Sequence, residues 1–329
     1  MLILGIEGSA NKLGIGILQN TTILCNERIT YISPPGTGFV PSAVALHHSQ
    51  NILPLFLRCC SKANINPSEI DLVAFTKGPG MGAPLSACAL FARVISNYYN
   101  KPIIGVNHCI AHIEMGRFIT NAKNPVILYA SGGNTQIIAR GNNKYFIYGE
   151  TLDIAAGNAL DRIARQLNIS NDPSPGLNIE LNAKKGKNYI KTPYVVKGMD
   201  ISFSGIISHT KNIKIEDEQT VYDLCYSLQE NIFSALVEVT ERTMALLNSK
   251  EVLIVGGVGC NKRLQEMMKM MAEERGGVLY ATDERYCIDN GIMIAYTGKL
   301  MYESNIRHNI EDTQITQRFR TDSVEVLWK

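Results

Sequence analysis

Residues Leu2 to Ile6 are apolar throughout and end on Glu7; Gly8-Ser9-Ala10-Asn11 follows, and Leu13 to Leu18 alternate apolar residues with Gly. The pattern predicts a strand, a tight turn and a second strand. The unit returns later in the chain. Val126 to Ala130 is again an apolar strand, Ser131-Gly132-Gly133-Asn134 a turn, and Thr135 to Arg140 a partner strand. Gly141-Asn142-Asn143 then turns into Tyr145 to Tyr148, which completes a meander. Turns of this kind expose backbone N–H groups that can hold phosphate.

A second unit is also doubled. Asp71 to Phe75 reads as a strand entering Lys77-Gly78-Pro79-Gly80-Met81-Gly82, with a small-residue helix from about Leu85 to Asn97. Val252 to Val255 enters Gly256-Gly257-Val258-Gly259-Cys260-Asn261, with a helix from about Lys262 to Glu274. Neither loop ends in Gly-Lys-Ser/Thr, so neither is a P-loop. Two hairpins and two strand–Gly–helix units in the same order predict an α/β protein of two related lobes facing a shared cleft. The polar stretch from Asn121 to Pro125 divides an N-terminal lobe, residues 1–124 completed by the C-terminal segment 293–329, from a C-terminal lobe, residues 125–292. Between Asn168 and Gly186, Pro173 and Pro175 flank Ser174, and the pattern predicts an irregular lid or binding loop.

Composition narrows the classes. The chain has 329 residues, 45% hydrophobic and 19% charged, which is the balance of a globular protein with a sizeable core. Its net charge of +2 leaves any nucleic-acid site to a local patch. Lysines thicken at 184, 185, 187, 191, 197, 211 and 214, which reads either as a solvated face or as such a patch. No apolar run approaches a membrane span, and the first apolar run ends at Glu7 without a preceding basic stretch, as a strand does and a signal peptide does not. Eight cysteines without a Cys-x-x-Cys pair predict reduced thiols and an intracellular home. Met267, Met268, Met270 and Met271 share one predicted helix and read as core or a subunit contact.

The chemistry concentrates at Asn107-His108-Cys109-Ile110-Ala111-His112-Ile113-Glu114. On a helix His108 and His112 share one face, and they are either structural histidines of a half-buried helix or a pair that shares one metal ion. A helical zinc protease places Glu directly after the first His; here Cys109 stands there. Glu114 lies roughly 200° around the helix from His112 and points away. Candidates for a third ligand are the Tyr129 phenol and Asp289, although Asp289 can equally cap a helix beginning near Gly291. Asp161 is either a solvated partner of a nearby Arg or a carboxylate facing the cleft, and Glu180 is open in the same way. Asn261 reads as a helix N-cap, at a terminus where phosphate is also favoured.

Taken together, these residues resemble one family closely. Lys77-Gly-Pro-Gly-Met-Gly-Ala-Pro-Leu85, Asn107-His-Cys-Ile-Ala-His-Ile-Glu-Met-Gly116, Ser131-Gly-Gly-Asn-Thr-Gln136, Ser170-Asn-Asp-Pro-Ser-Pro-Gly176, Lys197-Gly-Met-Asp-Ile-Ser-Phe-Ser-Gly205 and Thr282-Asp-Glu-Arg-Tyr-Cys-Ile-Asp-Asn-Gly291 resemble, in order, the blocks of the tRNA threonylcarbamoyladenosine transferases, formerly O-sialoglycoprotein endopeptidases. The first block is similar to the archaeal and eukaryotic cytosolic branch. The resemblance implies the actin-like ATPase (ASKHA) fold and transfer of threonylcarbamoyl from threonylcarbamoyl-AMP to the adenosine 3′ of the anticodon in tRNAs reading ANN codons. It implies one divalent metal, iron or zinc with magnesium also admitted, at His108, His112, Tyr129 and Asp289. It places the nucleotide, ATP, ADP or threonylcarbamoyl-AMP, at Tyr129, Ala130, Ser131, Gly132, Gly133, Asp161, Gly176, Glu180 and Asn261. Implied partners are tRNA and KEOPS subunits, including a kinase-like subunit and a small dimerisation subunit, in cytoplasm and nucleus and with no membrane. The chain departs from the pattern at Asn11 and Lys12, where His is common after the Ala, and at Leu46, where Arg is common. A metalloprotease, or a kinase or chaperone of the same fold, are the other readings.

Overall fold

The computed structural model describes residues 1–328. Its first half runs β1 (Leu2–Glu7), β2 (Lys12–Gln19), β3 (Thr22–Thr30), α1 (Pro41–Ala63), β4 (Leu72–Gly78), α2 (Gly82–Tyr98), β5 (Ile103–Asn107) and α3 (His108–Thr120). The second half begins with β6 (Val126–Ala130), β7 (Thr135–Arg140), β8 (Tyr145–Glu150), α4 (Ala156–Gln166) and α5 (Pro175–Ala183). It continues through a short hairpin of β9 (Val196–Lys197) and β10 (Asp200–Ile201) to α6 (Ser204–Lys211) and α7 (Glu218–Leu246). It closes with β11 (Glu251–Val255), α8 (Lys262–Glu274), β12 (Val278–Ala281), α9 (Glu284–Cys287) and α10 (Gly291–Glu303).

The duplication read from the turns extends to the sheets. One sheet has the order β3-β2-β1-β4-β5 and the other β8-β7-β6-β11-β12, which is the same arrangement. In each, the first three strands form an antiparallel meander, and the two later strands add in parallel through helical crossovers.

Strand alternation sorts the side chains into layers. Leu2, Leu4 and Ile6 point to a core roofed by α1 and α2, whereas Ile3 points the other way. Val126, Leu128 and Ala130 face a core built with α4 to α8, whereas Ile127 and Tyr129 face the opposite side. The two inner faces meet over α3 and α10, which form a shared apolar layer between the sheets. Tyr129 therefore looks toward α3 because of its strand parity.

Glycines bring α10 onto the first sheet. A Cβ on Gly291 would stand under 3.0 Å from the Gly16 amide nitrogen and the Gly5 carbonyl oxygen, and one on Gly5 or Gly16 would meet the first residues of α10 as closely. The chain then follows the first lobe: His308 bridges to Ile103, and Thr316 N–H donates to the Lys77 carbonyl at 2.8 Å. Its last described residues cross to the second sheet. There Thr321 Oγ1 donates to Gln136 Oε1 at 2.9 Å, and Val326 N–H donates to the Asn143 carbonyl at 2.7 Å.

One sequence expectation is corrected. Residues 168–186 are not irregular throughout, because Pro175–Ala183 forms α5. Pro175 occupies the first helical position, where its fixed φ suits the helix and its missing N–H leaves nothing unbonded. Ser174 caps the helix by accepting from Leu177 N–H. The prolines start a helix here. Among the described residues no helix is long and apolar enough to cross a membrane.

Gly291→Ala is expected to destabilise the protein by about 2–3 kcal/mol, the scale of a forced overpacking. Gly205→Ala in α6, where a Cβ would meet nothing within 4 Å, is expected to be neutral or to stabilise by up to about 1 kcal/mol. Denaturant unfolding of the two variants decides the point: equal stabilities would show that α10 does not depend on its glycine contact.

Candidate metal centre and nucleotide cleft

α3 follows β5 without a loop. Asn107 ends the strand and caps the helix, its Oδ1 accepting from Cys109 N–H at 2.9 Å and Ile110 N–H at 3.2 Å, while its Nδ2 donates to the Phe319 carbonyl at 3.0 Å. His108 is thus the first helical residue at the carboxyl end of a parallel strand, the edge of an open α/β sheet where ligands gather. The rings of His108 and His112 lie 4.7 Å apart, edge to face.

Asp289 meets both histidines. Its Oδ1 lies 3.0 Å from His112 Nε2 and 3.6 Å from His108 Nε2. One donor atom from each of the three residues falls within 4.8 Å of the others, a set that can hold a metal ion. Asp289 does not cap α10; Asn290 does, accepting from Met293 N–H at 3.0 Å. Lys12 Nζ stands 3.4 Å from Asp289 Oδ2. Burial alone would raise the Asp289 carboxyl, but Lys12 and the histidines hold it well below the usual carboxylate range.

The residues fit an ion by a second observation. The Tyr129 hydroxyl is fully buried without a hydrogen-bond partner, and its ring centre is 5.4 Å from that of His112. A buried phenol oxygen is normally bonded, and a cation between the histidines and Asp289 would satisfy it. Burial holds this phenol well above its ordinary range.

Glu7, not singled out from the sequence, orients the centre. It is completely buried, and its Oε2 lies 3.0 Å from His108 Nδ1 and accepts from Thr76 Oγ1 at 2.5 Å. Its Oε1 accepts from both the N–H and the hydroxyl of Ser9, at 2.7 and 2.6 Å. Burial opposes ionisation of both partners, yet their attraction lowers the Glu7 carboxyl and raises the His108 imidazole. His112 is lowered by burial, with Nδ1 unpartnered. A carboxylate on the far nitrogen of a metal-facing histidine fixes its tautomer and raises its basicity as a ligand. The signal available in the sequence was an acid closing an otherwise fully apolar strand. Ser9 N–H is bonded to Glu7, so the first hairpin turn is tied to the centre by its own carboxylate.

The second turn is open. Ser131 N–H and Oγ close it onto the Asn134 carbonyl at 2.8 and 3.2 Å, and nothing stands within 4 Å of where a Cβ would lie on Gly132 or Gly133. It follows directly from Tyr129 and the buried Ala130 at the end of β6. Gly256, with φ of 90°, carries the neighbouring turn so close to the Ala130 carbonyl that a side chain is excluded.

The remaining candidates fall in two places. Gly176 and Glu180 lie one turn apart on α5, and Glu180 Oε1 accepts from Lys262 N–H at 3.3 Å, at the start of α8. Asn261 caps that helix by accepting from Arg263 and Leu264 N–H, and its Nδ2 donates to Gln229 Oε1 at 3.0 Å. Asp161, on α4, has no hydrogen-bond partner among the described residues, and burial pushes its carboxyl up to about 6 against the pull of Arg165 and Lys12. Glu114 is outside the centre, accepting from the Tyr145 hydroxyl at 2.7 Å and Arg117 at 2.9 Å. Burial pushes the Cys109 thiol up to about 11, which leaves it no nucleophile at neutral pH.

Two sheets of the same order packed on a shared helical layer define a protein of the actin-like ATPase fold. Solved structures agree: HypF from T. kodakarensis superposes with a TM-score of 0.65 at 16% identity over 93% of this chain and 48% of that one. The activator of the 2-hydroxyisocaproyl-CoA dehydratase from Clostridium difficile, solved with bound ADPNP, gives 0.52 at 15% identity over 93% and 97%. A model of the tRNA N6-adenosine threonylcarbamoyltransferase family matches residues 22–296. Relatives bearing that name are 64% identical in Encephalitozoon cuniculi over 100% of this chain and 99% of theirs, and 58% identical in Xenopus laevis over the same shares. The chain belongs to the tRNA N6-adenosine threonylcarbamoyltransferase family.

Two outcomes follow from the site geometry. Glu7→Gln is expected to weaken divalent metal binding about 10–100-fold while leaving the three ligand residues in place; calorimetric titration with zinc measures it, and an unchanged affinity removes Glu7 from the centre. Asp161 carries the opposite sign from a stabilising carboxylate. Its folded pKa exceeds the unfolded value near 3.9, so below about pH 4 it is neutral in both states and costs nothing. The penalty grows as pH rises toward 6 and is complete above that. Asp161→Asn is therefore expected to stabilise the free protein by on the order of 1–2 kcal/mol at pH 7.5 and not at pH 4. Urea unfolding at the two pH values would refute this if the variant showed no gain at the higher one.

Proposed function

We propose that this chain transfers the threonylcarbamoyl group of threonylcarbamoyl-AMP to the exocyclic amine of the adenosine 3′ of the anticodon in tRNAs reading ANN codons. The single observation that carries the reading is the cluster of His108, His112 and Asp289, backed by Glu7 and set beside the open Ser131–Gly133 turn, in a chain of this family. The adenosine amine attacks the carbamoyl carbon, the bond from that carbon to the AMP phosphate oxygen breaks, and AMP and a proton leave. The donor is already a mixed anhydride, so positioning is the chief task of the protein.

His108, His112, Asp289 and the Tyr129 phenol would hold one divalent ion, iron or zinc, which supplies Lewis-acid polarisation when bound. The Gly132 and Gly133 N–H groups of the second turn cradle phosphate, and Asp161 accepts from a ribose hydroxyl. Gly176 gives the nucleotide room at the start of α5, with Glu180 and Asn261 setting that wall through α8. Lys12 adds positive charge between Asp289 and Asp161.

A hydrolytic reading finds no base on α3, since Cys109 occupies the position after His108 and Glu114 is bonded elsewhere. Partner binding is supported by an apolar face. Leu46, Leu53 and Leu57 on α1 and Leu90, Val94 and Tyr98 on α2 are each more than half exposed at helical spacing on two helices that pack together. That face suits the small dimerisation subunit of a KEOPS assembly, with the kinase-like subunit as a second partner, in cytoplasm and nucleus.

Incubation of the assembled subunits with unmodified tRNA, threonine, bicarbonate, ATP and the adenylate-forming enzyme is expected to yield threonylcarbamoyladenosine by nucleoside mass spectrometry. His112→Ala is expected to lower the rate by about 100-fold or more, as loss of a preorganised electrostatic group does. Absence of the modified nucleoside with the unaltered chain sinks the reading.

A further inference from the structure

Charge is distributed very unevenly. Residues 184–214 hold seven lysines against one acidic residue, Asp200, a local charge of +6. The whole chain carries +2, so everything outside this stretch sums to −4. All seven lysines are exposed, as are Tyr189 and Tyr194, 54% and 63% accessible. Among the described residues only Lys184 and Lys214 are paired with acids, Glu180 at 3.9 Å and Glu216 at 3.2 Å. Among the described residues, Lys187, Lys191, Lys197 and Lys211 have no carboxylate within ion-pair distance.

This surface is held in place by its backbone. Between α5 and β9 the chain has no helix or strand of its own, yet it is pinned to α7. Asp223 accepts from the N–H groups of Lys187 and Asn188 at 2.7 and 3.1 Å and from Asn188 Nδ2 at 2.9 Å, and Ser227 Oγ accepts from Ile190 N–H at 2.7 Å. His209 Nε2 lies 3.2 Å from the Lys191 carbonyl, which joins the end of α6 and Lys211 to the same face. The side chains are thus exposed charges on a fixed rail, the arrangement that suits a polyanion backbone with occasional base or sugar stacking. The rail begins where α5 ends, about 13 Å from Gly176 at the rise of a helix.

We infer that the strap from Lys184 to Lys197, together with Lys211, is an RNA-contact surface that grips the phosphate backbone of the tRNA away from the reacting base. The inference rests on the tRNA-modifying function proposed above. A polyanion is favoured over an acidic protein because the positive charge spreads along an extended segment without an apolar centre; Tyr189 and Tyr194 are the only large exposed apolar groups on it.

The test uses the full chain in its subunit assembly, with an unmodified tRNA transcript as probe. The triple variant Lys187→Gln, Lys191→Gln, Lys211→Gln is expected to raise Kd and KM for tRNA about tenfold, with kcat within about twofold. The slope of log affinity against log salt is expected to fall by about 2, from ~0.7 per lost contact. Each single variant is expected to give about a third of that change, which keeps the inference testable if the triple variant folds poorly. Unchanged Kd and salt slope in a variant with wild-type metal content and thermal stability overturn the inference. So does loss of partner-subunit assembly with tRNA binding intact, which would make the strap a protein-docking face. If the unaltered assembly makes no threonylcarbamoyladenosine, the proposed function fails; if it does and the strap variants match it, the strap alone fails.

Discussion

The centre depends on how closely α10 can approach the first hairpin. Asp289 is not on a helix or a strand. It is held by Asn290 and Gly291, the cap and first residue of α10, and these sit on Gly5, Gly14 and Gly16 with no side chain between backbones. Any Cβ at that contact lifts the helix start and carries Asp289 away from α3. The metal-type geometry is therefore set by the absence of four side chains as much as by the presence of three ligands. The same contact brings the third ligand, distant in sequence from the two histidines, to the site.

Around this contact the structure places its charges with little slack. Glu7, His108, Asp289 and Lys12 alternate in sign from the buried end of β1 outward to the cleft. Each carboxylate is stabilised by a cationic neighbour, and burial alone would neutralise Glu7, His108 and Asp289. Such a chain rigidifies the ligands in advance, and among the described residues it leaves His112 Nδ1 and the Tyr129 hydroxyl buried without partners.

Much of this was legible in the sequence, and the illegible parts have definite causes. The doubled turns are legible because turn chemistry and strand alternation are local, and the place of Tyr129 at the end of a predicted strand makes its phenol a candidate ligand. Ser174 and Pro175 were misread because Pro both breaks and starts helices, and which it does depends on the residues after it. Asp289 stayed ambiguous between ligand and cap because two neighbours, Asp289 and Asn290, are both good caps; only the fold assigns Asn290. The roles of Glu7 and Lys12 at the centre are not legible in the sequence, since they exist only between positions 101 and 277 residues apart. Asn261 serves as a cap, so its sequence reading as helix punctuation is also its role in the unliganded fold.

The path of the chain after α10 has a mechanical consequence. Residues 308–316 are tied to the first lobe and residues 320–328 to the second, through Arg320 on Glu150, Thr321 on Gln136 and the Trp328 carbonyl on Arg140. The tail is a strap across the back of a clamp. Because it crosses from lobe to lobe in a few residues, the jaws cannot swing apart by pivoting on α3 and α10 alone. Wide opening requires the final residues to peel from one lobe first, so the range of cleft motion is set by the segment that leaves Asn107, beside the first ligand, at Phe319 and Arg320.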